Sequence, residues 1–354
     1  MNLIELGLTA AAAEELKSAD MTEFTAGRVT QEHRERYIVT DGTADYEAEI
    51  TGNMRYTAAS RSDFPAVGDW VLIKKWDEGQ AIIHSILPRK SVLKRQAVGK
   101  TTEEQVIAAN IDCALIVQAL SNNFNINRLE RYLSICYEGG IEPVLVLSKT
   151  DLCSRDDIDK ALSSLKKREK QLRHILLSNV TGSGLDEINV LIKAGQTWCV
   201  LGSSGVGKST LINRLLGREI LRTGEISTST NKGRHVTEHR ELFVLENGGI
   251  IIDNPGMKEL GMTDNEEGIK HTFADIIALA PGCRFPDCTH TREAGCAVLE
   301  AVEKGDIDRA SYDNYLRMLK ESERYTTSVS KRKRKEKMFG KILKKYKKDN
   351  PKNR

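Results

Sequence analysis

Hydrophobic positions change their period twice along the chain. Between Glu23 and Arg89 they come in short alternating runs, Ala26–Val29, Arg36–Val39, Tyr46–Ile50, Trp70–Ile73 and Ala81–Ile83. Asp41-Gly42, Thr51-Gly52-Asn53, Gly68-Asp69 and Asp77-Glu78-Gly79 separate the runs with residues suited to tight turns. Five short strands without a long helix predict a small closed barrel of the OB type. Ahead of it, the first 20 or so residues read as a short amphipathic helix or a mobile arm.

After Gly99 continuous apolar runs alternate with helical periodicity. Strands are predicted at Cys113–Gln118, Pro143–Leu147, His174–Leu177 and Thr197–Leu201, and helices from about Ile126, near 156–170 and from Leu185. This alternation means a parallel α/β sheet. A further strand pair, Leu242–Leu245 and Gly249–Ile252, follows, and beyond about residue 270 the pattern is helical, broken by a cysteine-rich loop. The chain contains no internal repeat. The expected organisation is multidomain: an arm over 1–22, an OB-like β-barrel over 23–92, an α/β domain over 100–265, a helical domain over 266–330 and a tail over 331–354.

Charge alters this picture at one end. The 354 residues carry 53 Lys plus Arg against 50 Asp plus Glu, a net of +3. Residues 331–354 hold 13 basic and two acidic side chains, a net of +11, which leaves −8 on the rest. An acidic body with a basic tail fits contact with nucleic-acid phosphates, or a solvated terminal helix. No run of about 18 apolar residues occurs, which excludes a membrane-spanning helix. The N-terminus lacks a basic n-region, and Glu14 and Glu15 interrupt its alanines, so a secretory signal is not expected. Cys113, Cys136, Cys153 and Cys199 are scattered through apolar segments, as in a cytoplasmic protein with reduced thiols.

Gly202-Ser203-Ser204-Gly205-Val206-Gly207-Lys208-Ser209 follows an apolar strand and opens a helix at Thr210. In such a P-loop, backbone N–H groups meet phosphate oxygens, the lysine reaches the β- and γ-phosphates, and the serine hydroxyl ligates Mg²⁺. Asp253-Asn254-Pro255-Gly256 matches D-x-x-G: Asp253 would hold Mg²⁺ through water, and the Gly256 N–H would meet the γ-phosphate. Ser148-Lys149-Thr150-Asp151 is similar to the guanine-reading N-K-x-D. A carboxylate at Asp151 accepts from both N1–H and the exocyclic amine, a donor pair adenine lacks. Serine at 148 removes an amide that ordinarily ties this loop to the phosphate loop, so lower nucleotide affinity is expected. Ser178-Asn179-Val180 stands where backbone N–H groups would receive guanine O6. Usual GTPases place the phosphate loop before the base-reading motifs. Here Lys149–Asp151 and Ser178 precede Gly202 and Asp253 follows it, which makes the set complete only as a circular permutation. An ATPase or small-molecule kinase remains the alternative, with Asp151 against it. A nucleotide-gated docking module with incidental hydrolysis is another.

With these motifs the sequence resembles the circularly permuted, small-ribosomal-subunit-dependent RsgA GTPases over nearly its whole length. The carriers are Pro65-Ala66-Val67-Gly68-Asp69, Leu87-Pro88-Arg89, Lys149-Thr150-Asp151-Leu152, the phosphate loop, Gly233-Arg234-His235, Asp253–Gly256 and the cysteine cluster. The resemblance implies a GTP hydrolase acting in late assembly of the small subunit, slow alone and stimulated by it. It places His235 in switch I. There His235 either orients water, since Met257 stands where many GTPases have glutamine, or serves a structural or RNA-contacting role. Val236 departs from the family's consecutive threonines and leaves Thr237 as the Mg²⁺-sensing residue, with Thr228 and Thr230 behind it. Nothing in the sequence calls for an obligate dimer, and a monomer is expected.

Cys283-x₄-Cys288-x-His290-x₅-Cys296 offers three thiolates and an imidazole within fourteen residues. This is a Cys₃His set for a tetrahedral, structural Zn²⁺, with Gly282, Pro286 and Gly295 letting the loop fold tightly. The alternative is three reduced thiols near a surface histidine. OB barrels often bind RNA, so Arg28, Arg34, Arg36 and Lys74 are candidate contacts to ribosomal RNA beside the basic tail.

Overall fold

The computed structural model describes residues 1–18, 22–33, 36–96, 104–221, 240–253 and 265–327. After a helix at Ala10–Ser18, five strands form the first domain: β1 (Thr25–His33), β2 (Arg36–Thr40), β3 (Asp45–Ile50), β4 (Trp70–Asp77) and β5 (Gln80–Ile86). They pair in the order β1-β2-β3-β5-β4, and β4 returns to β1. The sheet therefore closes on itself, and only β3 and β5 run parallel. This is the five-stranded barrel expected from the alternating runs. Along β3 the alternation is complete: Tyr46, Ala48 and Ile50 face inward and Asp45, Glu47 and Glu49 outward. They join Val29, Tyr37, Val39, Val71, Ile73 and Ile83 in the barrel core.

Strands β6 (Val92–Gln96) and β7 (Glu104–Ala109) form a separate antiparallel pair that the sequence pattern did not signal. Lys94, Arg95, Gln96, Glu104 and Gln105 give it a polar half with no apolar alternation.

The central domain is a six-stranded sheet of β8 (Cys113–Ala119), β9 (Glu142–Ser148), β10 (His174–Leu176), β11 (Thr197–Leu201), β12 (Arg240–Val244) and β13 (Ile250–Asp253), in the order β10-β9-β8-β11-β13-β12. All but β12 are parallel. Every residue of β8 and β11 is buried, as expected of strands covered by helices on both faces. Helices Ile126–Glu138 and Arg155–Arg168 cover one face, and Lys208–Leu216 and Leu185–Leu191 the other.

Barrel and sheet form one continuous ladder, because β12 pairs antiparallel with β1 through Gln31–Glu241 and Glu32–Arg240. Arg28, on β1, is 0% exposed and bridges three regions. Its guanidinium donates to Thr197 Oγ1 at 2.8 Å, Gly68 O at 3.3 Å and Leu6 O. Burial lowers its pKa to about 10, against the pull of Asp112 and Asp69. Arg28 is thus a buried crosslink, not an RNA contact. Arg36 and Lys74 are exposed, and Arg34 lies outside the described residues.

Helices Glu266–Thr272, Ala274–Leu279 and Ala297–Lys304, with a helix over 309–327, make the C-terminal module around Ile269, Phe273, Ile276, Val298 and Met318. It docks on helix Ile126–Glu138. Gly268 permits the contact, since a Cβ there would lie 2.0 Å from Ser134 O. Arg131 pairs with Glu321 at 2.6 Å, and buried Glu130 receives Arg168, Asn314 and Ser311.

Candidate functional site

Parallel strands in register end along one edge, where ligands of such sheets gather. Ala119 pairs with Ser148, Leu147 with Leu176, Leu201 with Ile116 and Val200 with Asp253. The residues at or just beyond those positions, Gly202, Lys149, Ser178 and Asp253, therefore come together although they are up to 104 positions apart in sequence.

The phosphate loop joins β11 to helix Lys208–Leu216, with Gly207 in a left-handed conformation (φ 97°) at the helix start. The Lys208 ammonium donates to Gly202 O at 2.8 Å and Ser203 O at 2.7 Å, so the loop curls around it. Ser209 and Thr210 sit in the first helical turn, where backbone N–H groups have no helical acceptor. Asp253 is 8% exposed at the end of the adjacent strand.

On the base side, Lys149 adopts a left-handed conformation (φ 60°) and a single 3₁₀ turn, Thr150–Leu152, presents Asp151 to solvent. The buried Ser178 hydroxyl donates to Asp151 Oδ1 at 2.6 Å. The Ser178 N–H is committed to Ser183 O at 3.0 Å. Ser178 thus orients the carboxylate through its side chain. The serine at 148 does not break the link to the phosphate loop as expected: its hydroxyl donates to Val206 O at 2.6 Å. A hydroxyl on a shorter side chain replaces the amide because Ser148, 0% exposed, lies directly against the loop. Asn179 Nδ2 adds a second link, to Gly207 O at 3.1 Å. Arg128 donates to Ser203 Oγ at 3.4 Å, a cation at the loop that no motif marks.

His235, Thr237 and Gly256 lie outside the described residues, as does the tail from Lys331.

The second cluster is in the C-terminal module. The ligand atoms of Cys283, Cys288, His290 and Cys296 all lie within 4.8 Å of one another. Cys283 and Cys296 sulfurs are 3.8 Å apart, and each is 3.5 Å from His290 Nδ1. Burial pushes the Cys283 thiol up, but the N–H groups of Ala297 and Val298 and the neighbouring thiols hold it below its usual value. Those N–H groups open helix Ala297–Lys304, whose positive end favours a thiolate. Burial and hydrogen bonds to Cys296 and Cys283 push Cys288 up to about 11. Desolvation keeps the imidazole of His290 neutral and able to donate its lone pair. Its carbonyl is fixed by the Tyr312 hydroxyl at 2.6 Å. Three thiols this close repel as thiolates unless a cation sits among them, so the donor set fits a metal ion. The scattered cysteines differ: burial drives Cys113 up to about 12, which leaves it an inert thiol.

A family model described as RsgA GTPase matches residues 86–263. The small ribosomal subunit biogenesis GTPase RsgA 2 of Lactiplantibacillus plantarum is 44% identical over 324 residues, covering 91% of this chain and 89% of its own. RsgA 1 of Bacteroides thetaiotaomicron, with the same description, is 39% identical over 92% and 91%. Among solved structures, YjeQ from Thermotoga maritima superposes with a TM-score of 0.62 at 26% identity, covering 84% of this chain and 98% of its own. YloQ, described as a circularly permuted GTPase, gives 0.60 at 22% identity over 86% and 97%, a likeness of fold.

Proposed function

The chain belongs to the RsgA GTPase family and is a GTP hydrolase; from that premise we propose that it works on the small ribosomal subunit late in assembly and leaves after hydrolysis. Its turnover is slow alone and rises on the subunit. The observation that carries the nucleotide reading is the permuted set on one sheet edge: the phosphate loop beside an Asp151 carboxylate held by Ser178. Lys208 and the loop N–H groups bind the β- and γ-phosphates, together with Gly202–Gly207 and Thr210. Asp151 accepts from the guanine edge, Lys149 and Thr150 flank the base, and the backbone at Asn179 meets O6. Ser209, Asp253 and Thr237 would hold Mg²⁺, which would supply charge neutralisation at the phosphates. The Gly256 N–H senses the γ-phosphate, and His235 orients the attacking water.

The Cys₃His cluster holds structural Zn²⁺. For Zn–S of about 2.3 Å and Zn–N of about 2.0 Å, tetrahedral edges are roughly 3.8 Å and 3.5 Å, in keeping with the spacings between Cys283, Cys296 and His290. Contact with ribosomal RNA is supported by the tail charge and by the barrel's outer face. There the exposed Trp76 lines a groove of about 490 Å³ with His33 and with Arg36, which pairs with Glu49 at 3.6 Å, so the groove offers a stacking surface beside one ion-paired guanidinium. No helix among the described residues is long and apolar enough to cross a membrane. The reading is of a monomer acting in the cytoplasm, where ribosomes assemble.

The deciding measurement is GTP hydrolysis with and without purified small subunits, with ATP as control. Strong stimulation by the subunit and no ATP turnover are expected. Equal turnover in both conditions would remove the ribosomal assignment, and ATP turnover the guanine one.

A further inference from the structure

We propose that Asn179 is a positioning residue for the phosphate loop, sharing with Ser148 the work of aiming its amides; this rests on the GTPase reading above. Ser148 Oγ donates to Val206 O at 2.6 Å, and Asn179 Nδ2 donates to Gly207 O at 3.1 Å. The two acceptors are consecutive and immediately precede Lys208. A peptide unit is planar, and its carbonyl and N–H point in opposite directions. Holding the Val206 carbonyl therefore aims the Gly207 N–H, and holding the Gly207 carbonyl aims the Lys208 N–H. Both amides lie in the part of the loop that wraps phosphate oxygens. Two side chains from two different strand ends thus fix two successive donors from behind.

The division of labour follows from donor count. A serine hydroxyl has one proton to give, whereas a carboxamide has two. With serine at 148, one carbonyl is served and the next is not. Asn179 supplies the missing donor from the neighbouring loop. Its orientation is set by the acceptor: the flipped amide would bring Oδ1 against Gly207 O. The Asn179 Oδ1 is itself buried with no hydrogen-bond partner, so the side chain's polar contact runs through Nδ2. The fit is close. A Cβ built on Gly207 would stand 2.8 Å from Asn179 Nδ2, so a glycine at 207 is what admits the amide.

The test is equilibrium binding of fluorescent GDP and GTP to the full chain, with kcat and apo melting temperature measured alongside. Asn179→Ala and Ser148→Ala are each expected to weaken binding about tenfold. The double variant is expected to fall well short of the product of the two, because either loss already frees the same stretch of loop. The decisive arm is Ser148→Asn in the Asn179→Ala background. An amide at 148 brings both donors, and affinity is expected to return to within about threefold of the parent. Asn179→Asp keeps the shape and removes the donor, so it replaces Asn179→Ala if the latter does not fold. Unchanged affinity in folded Asn179→Ala or Asn179→Asp would overturn the proposal. So would a Ser148→Asn variant that rescues melting temperature but not affinity. Failure of the parent to bind guanine nucleotide at all is a separate result, and it would strike the function rather than the positioning role.

Discussion

The nucleotide edge of the sheet and the cysteine loop are both short, contiguous motifs, yet opposite forces hold them. The phosphate loop rises from a strand buried between two parallel neighbours and is tied from behind by Ser148 and Asn179. It has its shape because the domain core has formed. The segment 283–296 contains no strand or long helix, and its four donor groups converge chiefly on one another. A site borne on a sheet is built by the fold and uses its ligand for chemistry. A site borne on a loop is built by its ligand.

The largest expected effect breaks that symmetry directly. Chelation, or Cys288→Ser, should unfold the C-terminal module, because ion binding in comparable structural zinc peptides is worth about 10–16 kcal/mol. Limited proteolysis should show cleavage beyond residue 265, while GDP affinity changes by less than about threefold. If the metal-free chain resists protease as well as the parent, the two sites are held alike. Next in size is Lys208→Ala. Removing the only cation inside the loop should weaken GTP binding on the order of 100-fold without moving the melting temperature by more than a degree or two. Normal hydrolysis in that variant would sink the phosphate-loop assignment.

This contrast also explains what could be read from sequence. Barrel strands and parallel strands were legible because burial on one face or on both leaves a distinct period, as in Asp45–Ile50 against Cys113–Ala119. The phosphate loop and the cysteine set were legible because their chemistry is contiguous. The β6–β7 pair was not, since its polar positions carry no alternation. The ties behind the loop were not either: Ser148 meets Val206 across 58 residues, and Arg28 meets Thr197 across 169. A basic residue in a barrel strand reads as a surface contact until packing shows that Leu6, Gly68 and Thr197 enclose it. Thr237, His235 and Gly256 rest on sequence alone.

Arg28 gives the third prediction. Arg28→Met keeps the length but strands the acceptors at Leu6, Gly68 and Thr197. Loss of a buried charge with its partners left behind costs about 3–5 kcal/mol. Thermal unfolding is expected to separate barrel and central-domain transitions that coincide in the parent. A single transition displaced by under about one degree would show that the β1–β12 ladder alone holds the domains together.

The smallest effect lies at the seam between the two compared regions. Glu169 follows helix Arg155–Arg168 and lines a cavity of about 440 Å³ between the central domain and the C-terminal module, facing Lys170, His271 and Asp275. Burial, and then the neighbouring Glu130, push its carboxyl up to about 8 against the pull of Arg168. The folded chain therefore binds a proton that the unfolded chain releases near pH 4.5. Stability from this group is present in full below about 4.5 and is lost as pH rises through about 8. Because the side chain is only half-buried and coupled to Glu130, the contribution is on the order of 1–2 kcal/mol, not the full shift. Melting temperature should fall between pH 6 and 9, and Glu169→Gln should remove a few degrees of that fall. Parallel profiles for the two would mean that water reaches Glu169 freely and that the seam is open. The C-terminal module would then be anchored chiefly by its contacts along helix Ile126–Glu138, and its response to metal removal should be correspondingly more complete.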